Sequence, residues 1–416
     1  MASETITTEC AIAGGGPAGV VLGYLLARAG VDVVVLEKHQ DFFRDFRGDT
    51  IHPSTLQVMH ELGVLDEFLK RPHQEVKTLG AEIGGELVQI ADFTHLPTRC
   101  KFIMFMPQWH FLDFLAQQAK RYPGFHLRMQ AEVDELIKDG DRVVGLKAAT
   151  PHGDLEVRAN LVVGTDGRRS TVRTLAGFEV ENRGAPMDVL WLRLSKRPQD
   201  GTESLGHIEP GRFFIMIDRG DYWQCAFVIP KGGFNELRRK GLEAFRLAIV
   251  AIQPSLSDRV REIASWDDVK LLTVRVDRLK RWYRPGLLCI GDAAHAMSPI
   301  GGVGINLAVQ DAIATANILA RPLLEGNVTE ENLRKVEKRR QLPTELTQAL
   351  QIFVQNRVIS NVLTIKSRPK PPFIMKMLNR FPVLRRLPAR LIGMGFRPEH
   401  VQTAEVTTPA AKPQAS

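Results

Sequence analysis

Runs of apolar residues near the N-terminus predict two buried strands with a helix between them. Residues 10–13 and 31–36 are almost continuously apolar, which is typical of strands buried on both faces. The intervening VVLGYLLARAG has helical spacing and ends at Gly30, a residue suited to a helix C-terminus. Together they predict a βαβ unit. Helices are also predicted at 108–122 and at 52–63, where Ser54 and Gln57 have the spacing of a capping box.

From about residue 180 the pattern changes to alternation of apolar and polar positions. Strands are predicted around 187–196, 212–231 and 268–279, so we expect an antiparallel sheet inserted into the first domain. The apolar sequence GLLCI at 286–290 predicts the return to the first sheet. The predicted divisions are 1–179 and 285–365 for the first domain, 180–284 for the inserted sheet, 366–400 for a basic C-terminal segment and 401–416 for a disordered tail.

The net charge of +8 is concentrated near the C-terminus. Residues 366–400 contain nine Lys or Arg and one acidic residue, so the rest of the chain is neutral overall, which argues against nucleic-acid binding. Basic and apolar residues are mixed in this segment, and two hypotheses follow: contact with an anionic membrane, or a segment that folds back over the first domain as a basic lid or forms a solvated face. Pro382 and Pro388 interrupt any long helix and favour the second hypothesis.

The four cysteines show no metal-binding or redox spacing. Cys10 and Cys289 lie in apolar strand patterns, so neither a dithiol centre nor a zinc site is expected. No uninterrupted apolar run reaches about 18 residues, and the polar N-terminus leads directly into a strand, which predicts neither a membrane span nor a signal peptide. These features predict a cytoplasmic location.

The sequence Gly14-x-Gly16-x-x-Gly19 follows the first strand and opens the helix. Glu37 lies 18 residues after Gly19, at the end of the second strand. In this context the glycines allow a tight turn, close approach of the backbone to a pyrophosphate and tight helix packing, while the acid accepts hydrogen bonds from a ribose. The unit therefore predicts a site for an adenine dinucleotide.

Two further motifs follow later in the chain. GTDGRRSTVR, residues 164–173, places Asp166 and Gly167 after a buried strand, and GDAAHAMSPIGGVGIN, residues 291–306, places glycines before a helix predicted to begin near Gly304. An open helix N-terminus offers unpaired N–H groups and a positive dipole end, which suits an anion or an electron-rich ring. His295 is expected to pack in the turn rather than act as an acid or base.

In this order the three motifs resemble those of the class A FAD-dependent monooxygenases, the aromatic hydroxylases typified by p-hydroxybenzoate hydroxylase. The resemblance covers about residues 8–320. It implies an α/β fold: a Rossmann-like FAD-binding domain, an inserted mixed or antiparallel β-sheet substrate domain and a C-terminal helical segment. It also implies NAD(P)H as a transient co-substrate, and hydroxylation of an apolar or aromatic small molecule by molecular oxygen through a flavin C4a-hydroperoxide. Thr165 and Ser298 stand where the family usually has Ala and Pro.

The resemblance also implies a set of site residues. Pro299 and Gly302, in the loop at the flavin edge, are the candidate catalytic positions. Arg47 is expected to reach the FAD phosphates, and Asp292 the ribityl chain. The full cofactor-binding set is Gly14, Gly16, Pro17, Ala18, Gly19, Glu37, Lys38, Arg47, Gln108, Val133, Asp166, Gly167, Asp292, Pro299, Gly302, Val303, Gly304, Ile305 and Asn306, and no metal site is expected.

Substrate residues are expected on one face of the inserted sheet, where large side chains favour an apolar or aromatic ligand. The candidates are Trp191, Arg193, His207, Phe213, Met216, Trp223 and Gln224. Three alternatives remain open. One is a flavin halogenase, although YWQCAFVIP lacks that family's W-x-W-x-I-P motif; another is an FAD-dependent reductase of an isoprenoid or polyprenyl substrate; and the third is a flavin-binding module without catalytic activity.

Overall fold

The computed structural model describes residues 4–43, 50–201, 205–365 and 367–406. The helices are α1 (Pro17–Arg28), α2 (Pro53–Glu61), α3 (Leu65–Phe68), α4 (Gln108–Ala119), α5 (Thr171–Leu175), α6 (Phe234–Lys240), α7 (Leu242–Ile252), α8 (Gly304–Leu324), α9 (Glu330–Val354), α10 (Ser360–Thr364), α11 (Phe373–Arg380) and α12 (Arg386–Gly393). The strands are β1 (Glu4–Ala13), β2 (Val33–Glu37), β3 (Thr50–Ile51), β4 (Gln74–Val76), β5 (Thr78–Ile83), β6 (Glu86–Asp92), β7 (Ile103–Phe105), β8 (Phe125–Met129), β9 (Glu132–Asp139), β10 (Arg142–Thr150), β11 (Gly153–Gly164), β12 (Val180–Asn182), β13 (Met187–Ser195), β14 (Leu205–Glu209), β15 (Arg212–Asp218), β16 (Tyr222–Pro230), β17 (Lys270–Leu272), β18 (Asp277–Leu279), β19 (Tyr283–Arg284), β20 (Leu287–Cys289) and β21 (His295–Ala296).

The first sheet has a parallel centre in the order β20–β11–β1–β2–β8. Strands β9, β10 and β19 extend it with antiparallel pairings. All five residues of β2 are buried, as its continuous apolar run predicts, and α1 packs against both α4 and α8 beside this sheet. The fold-class prediction of a Rossmann-like domain with an inserted sheet is confirmed.

The second sheet has seven strands in the order β17–β13–β16–β15–β14–β5–β6. Its last two strands come from residues 78–92, because β5 pairs in parallel with β14 and β6 pairs with β5. The predicted boundary, which assigned all of residues 1–179 to the first domain, is wrong for this hairpin. Two separate parts of the chain therefore contribute strands to the second sheet. After the first part, the chain returns to the first domain through β7 and α4.

The C-terminal part of the chain packs against both sheets. Helices α11 and α12 lie on β6, so this part of the basic segment packs on the second sheet and not, as the lid hypothesis had it, over the first domain. Further on, Val401 N–H donates to Glu61 Oε2 at 3.0 Å, and Val406 N–H to the carbonyl oxygen of Arg28 at 2.9 Å. The predicted disorder is therefore wrong for residues 401–406, and residues 407–416 lie outside the described residues.

One helical segment, Ile300–Leu324, is long and apolar enough by length and composition to cross a membrane. However, 78% of its apolar window is buried inside the protein. The segment contains α8, which packs against α1 on one side and α9 on another. Its apolar composition is thus that of a core helix.

Candidate active site

The glycine turn between β1 and α1 packs tightly against the end of β11. Gly14 has a φ of 107°, and a Cβ placed there would lie 2.6 Å from the carbonyl oxygen of Thr165. A Cβ on Gly19 would lie 1.9 Å from the carbonyl oxygen of Gly14. Gly16 caps α1 without a side-chain hydrogen bond, and Pro17 and Ala18 begin the helix. The N–H groups of the first turn are therefore available to a phosphate.

Glu37 lies beside this turn at the end of β2. Its Oε2 accepts a hydrogen bond from Gly15 N–H at 3.0 Å, and its Oε1 from His39 N–H at 3.1 Å. The start of β9 runs alongside, since Lys38 Nζ lies 3.7 Å from Glu132 Oε1 and Val133 follows. This grouping fits the predicted adenosine site.

Asp166 is the first residue after the end of β11 to carry an acidic group, and its two oxygens differ. Oδ2 accepts a hydrogen bond from Val172 N–H at 3.0 Å, whereas Oδ1 is buried and has no hydrogen-bond partner among the described residues. Burial raises the pKa of this carboxyl group, although hydrogen bonds from Ser170 and Val172 favour its charged form. Gly167, with a φ of 83°, turns the chain immediately after it.

Arg168 joins the second motif to the third, a role that the sequence analysis missed. Its Nε donates to Asp292 Oδ2 at 2.9 Å, and its Nη1 is buried without a partner within the described ranges. Arg173 reinforces the junction, because it donates to the carbonyl oxygens of Arg168 and Ala293 at 2.5 and 3.5 Å. The sequence contains one signal for this role of Arg168: it is the first of two arginines directly after Asp166 and Gly167, which were predicted to bind the cofactor.

The predicted flavin-edge loop forms a turn that only glycine can complete. Pro299 precedes the turn Ile300–Gly302, in which Gly301 and Gly302 have φ angles of 75° and 62°. Thr50 Oγ1 donates to the carbonyl oxygen of Gly302 at 2.8 Å, and a Cβ on Gly302 would lie 2.1 Å from that hydroxyl oxygen. The loop is thus held against β3.

Helix α8 begins at Gly304, as predicted, with Val303 as its cap residue and no side-chain cap. Asn306 Oδ1 accepts hydrogen bonds from Ser54 Oγ at 2.7 Å and Thr55 Oγ1 at 2.8 Å. The predicted capping box at Ser54 is therefore wrong, because α2 is capped at His52 and the serine side chain bonds to α8 instead. The N–H groups of Gly304, Ile305 and Asn306 occupy the first turn, where a helix offers unpaired donors.

Three glutamines on α9 and the turn after it hold the loop from behind. Gln351 bonds to both Ser298 and Ile300, and Gln355 Nε2 donates to Ser298 Oγ at 2.7 Å. Gln348 Nε2 donates to the carbonyl oxygen of Ala296 at 3.2 Å. The sequence analysis missed this clamp, whose only signal is glutamine repeated on one helical face.

His295 is packed inside the protein, as the sequence analysis expected. Its side chain is fully buried, and its Nε2 lies 2.6 Å from Asp311 Oδ2. Arg340 Nε donates to the other oxygen of Asp311 at 2.9 Å. The histidine therefore belongs to a buried ionic network behind α8.

The predicted substrate residues do not share one face of the second sheet. The face toward the first domain carries Trp191, Arg193, Phe213 and Gln224. The opposite face, packed against α7, carries His207, Met216 and Trp223. The prediction of a shared face is wrong, because Phe213 and Met216 lie three residues apart in β15 and Trp223 and Gln224 are neighbours in β16, so alternation puts the members of each pair on opposite faces. A substrate role for the first group stays a prediction.

Gln108 and Arg47 are two further predicted cofactor residues, of which the structure describes the first. Gln108 is the half-buried first residue of α4, and its contact with the cofactor stays a prediction. Arg47 lies outside the described residues.

The described residues fit FAD. Gly14 and Gly19 leave no room for side chains, Asp166 Oδ1 and Arg168 Nη1 are buried polar atoms without partners among the described residues, and α1 and α8 both begin without side-chain caps. Acceptors, a cation and two open helix N-termini suit a ligand with hydroxyl groups, a pyrophosphate and an electron-rich ring.

Comparison with protein families agrees with this geometry. The model of the FAD binding domain family matches residues 7–349. The chain belongs to this FAD-binding family. 6-Methylpretetramide 4-monooxygenase of Streptomyces rimosus is 32% identical over 386 residues, covering 92% of this chain and 92% of the relative. Para-nitrophenol 4-monooxygenase of Pseudomonas sp. (strain WBC-3) is 25% identical over 327 residues, covering 77% and 79% of the two chains.

This member of the FAD-binding family also resembles solved structures. PqsL of Pseudomonas aeruginosa, described as a probable FAD-dependent monooxygenase, superposes with a TM-score of 0.73 at 21% identity, over 86% of this chain and 98% of PqsL. That likeness shows the fold. Family and relatives together make this protein an FAD-dependent monooxygenase.

Proposed function

We propose that this monooxygenase hydroxylates a phenolic or other oxygen-bearing aromatic compound, with NAD(P)H as the reductant and molecular oxygen as the oxygen source. The relatives support an aromatic substrate, since one is named for acting on para-nitrophenol and another for acting on 6-methylpretetramide. The proposal rests on an apolar wall beside the flavin-edge loop. This wall contains a buried hydrogen-bond donor that has no acceptor among the described residues.

The wall is formed by neighbouring positions on three strands. Trp191 on β13 is paired with Ala226 on β16, which is paired in turn with Ile215 on β15. Ile300, from the turn after Pro299, belongs to the same apolar cluster as these side chains. Aromatic and aliphatic groups beside the loop favour a flat apolar ligand.

Trp191 adds a polar group to this wall. Its indole Nε1 is buried and has no hydrogen-bond partner within the described residues. A buried N–H without a partner is costly, so a ligand oxygen that accepts from it gains more than the same contact in water would give. A phenolate, phenol or ring carbonyl oxygen supplies that acceptor.

When bound, reduced FAD supplies the chemistry by which one atom of molecular oxygen enters the substrate and the other leaves as water. The chain's own residues bind, orient and exclude water. The first turn of α8 offers N–H donors and a positive dipole end that stabilise negative charge on a ring. The wall around Trp191 excludes water from the substrate side.

NAD(P)H consumption tests the reaction. The protein should take up FAD, and a panel of phenols and polycyclic aromatic compounds should stimulate NADH or NADPH oxidation only when oxygen is present. Labelled molecular oxygen should appear in the product. Turnover of a compound without incorporation of labelled oxygen would contradict the proposal and favour a reductase.

The Trp191→Phe variant tests the donor. It keeps an aromatic wall but removes the N–H, so the KM for an active substrate should rise by about three- to tenfold, in line with about 1 kcal/mol for one hydrogen bond. Trp223→Phe is the matched control, since that indole donates to Asp200 Oδ2 at 3.1 Å on the opposite face. Equal effects of both variants on KM would argue against a substrate contact at Trp191.

A further inference from the structure

The segment 373–393, comprising α11, the turn Pro382–Arg385 and α12, has one side anchored to the second sheet. Asn379 completes the hydrogen bonding of the edge strand β6: its Nδ2 donates to the carbonyl oxygen of Leu87 at 2.9 Å and its Oδ1 accepts from Gln89 N–H at 3.0 Å. Ala389 is fully buried on the same side. These contacts fix which side of the segment faces outward.

The outward side of the segment exposes large apolar side chains. Phe373 is 79% exposed, Ile374 70% and Leu387 66%. Three more side chains of the segment are at least 41% exposed: Phe381, Val383 and Leu384. Single exposed apolar residues are common on soluble proteins, but six within 15 consecutive residues mark a contact surface.

Exposed cations lie among these apolar groups. They are Lys376, Arg380, Arg386 and Arg390. None of the four forms an ion pair with a carboxylate in the described part of the chain. Residues 367–398 contain no Asp or Glu at all. The surface therefore combines unpaired positive charge with unburied apolar area.

This combination fits one kind of partner better than another copy of the chain. In a symmetric pair the same cations would face each other, and like charges at an interface repel. An anionic lipid surface supplies negative headgroups for the cations and acyl chains for the apolar groups. The turn Pro382–Arg385 separates two helices of eight residues each, which can lie flat in the headgroup region but cannot span a bilayer.

We propose that residues 373–393 dock this protein peripherally on an anionic membrane surface. Lys376, Arg380, Arg386 and Arg390 contact lipid headgroups, and the exposed apolar side chains, Phe373, Ile374 and Leu387 foremost, enter the interfacial layer. The side anchored to β6 stays on the protein, so docking requires no unfolding of α11 or α12.

Sedimentation with vesicles tests the proposal on the full-length, FAD-loaded protein. Phosphatidylcholine vesicles with and without phosphatidylglycerol are compared at about 0.1 M and about 1 M salt, where the screening length falls from about 10 to about 3 Å. We expect binding to the anionic vesicles at the lower salt, and much weaker binding to neutral vesicles or at the higher salt.

Two double variants separate the contributions. Lys376→Gln with Arg386→Gln should weaken partitioning about thirtyfold, from two cations near the surface. Ile374→Ser with Leu387→Ser should also weaken it at least tenfold. The matched control is Leu247→Ser with Leu324→Ser, which removes two apolar side chains, 60% and 52% exposed, from other surfaces. FAD content and circular dichroism establish that each variant is folded.

Three results would overturn the proposal. The first is wild-type protein that stays in solution with anionic vesicles at low salt. The second is a control pair that reduces binding as much as the apolar pair in the segment. The third is a dimer, measured by light scattering, that the Ile374 and Leu387 substitutions dissociate, since a second copy would then cover this surface.

Discussion

Replacing Gln351 by leucine should loosen the loop that leads into the flavin-edge turn. Gln351 is 4% exposed, and its amide makes three hydrogen bonds to the loop. Oε1 accepts from Ser298 N–H at 3.1 Å, while Nε2 donates to the carbonyl oxygens of Ser298 and Ile300 at 2.9 and 2.8 Å. Leucine has a similar volume, so the substitution removes the hydrogen bonds without opening a large cavity.

The expected magnitude follows from the three backbone groups that would lose this partner. A buried polar group left without a hydrogen bond costs about 1–3 kcal/mol. We use the lower end, about 1 kcal/mol, for each of the three backbone groups, because a turn containing two glycines can adjust. The total cost is then about 3 kcal/mol. Since about 1.4 kcal/mol corresponds to tenfold, local opening of the loop should become roughly a hundredfold more frequent.

Hydrogen–deuterium exchange of peptides covering residues 296–303 measures this opening directly, and titration with FAD measures its effect on the cofactor. Gln351→Leu should speed exchange there by roughly a hundredfold and weaken FAD binding. Gln341→Leu is the control on the same helix, because that side chain is exposed and, among the described residues, bonds only to Glu345 at 3.1 Å. Unchanged exchange at 296–303 in the Gln351 variant would refute the clamp.

Three other predictions concern the cofactor site and the buried network. Gly14→Ala should abolish FAD retention, measured by flavin absorbance after gel filtration, because its Cβ would lie 2.6 Å from a backbone oxygen at a φ of 107°. Asp292→Asn should weaken FAD binding in a fluorescence titration while leaving the thermal midpoint of the apoprotein nearly unchanged, since the carboxylate is partly exposed. Burial opposes ionisation of Asp311, but His295 and Arg340 outweigh burial and lower the pKa of this carboxyl group. The stability that the ionised carboxylate contributes is therefore complete above about pH 4 and is lost as the pH falls through the lowered pKa. Acid unfolding followed by circular dichroism should accordingly be less steep in Asp311→Asn.

The glycine turn and the helix starts on which the cofactor prediction rests could be predicted because their determinants are local. Gly14, Gly16 and Gly19 lie within one strand–turn–helix, and a Cβ on Gly14 or Gly19 would meet the adjacent backbone. The start of α8 at Gly304 is likewise set by the glycines just before it. Such signals depend on residues a few positions apart, so hydrophobic pattern and spacing reveal them.

The substrate half could not be predicted to the same extent, because it depends on pairing between distant strands. Alternation correctly placed Trp191 and Trp223 in strands, but only the register, with Leu194 opposite Trp223, shows that they point to opposite faces. The hairpin of β5 and β6 joins the same sheet from more than 100 residues upstream of β14. Neither the register between β13 and β16 nor the pairing of β5 with β14 can be predicted from local periodicity.

Glu399, two residues before the tail that was predicted to be disordered, shows how charges distant in the sequence can fix the end of a chain. Glu399 is nearly buried and accepts hydrogen bonds from Arg339 at 2.7 Å and from Arg340 at 3.3 Å. Arg340 in turn bonds to Asp311, so Glu399 is tied to the network that also holds His295 behind the flavin-edge loop. Arg340 is almost completely buried between these two carboxylates, so it is stable there only while an oppositely charged partner remains. Glu399 is therefore part of the framework that fixes α8, and it depends on partners that lie about 60 to 90 residues away in sequence.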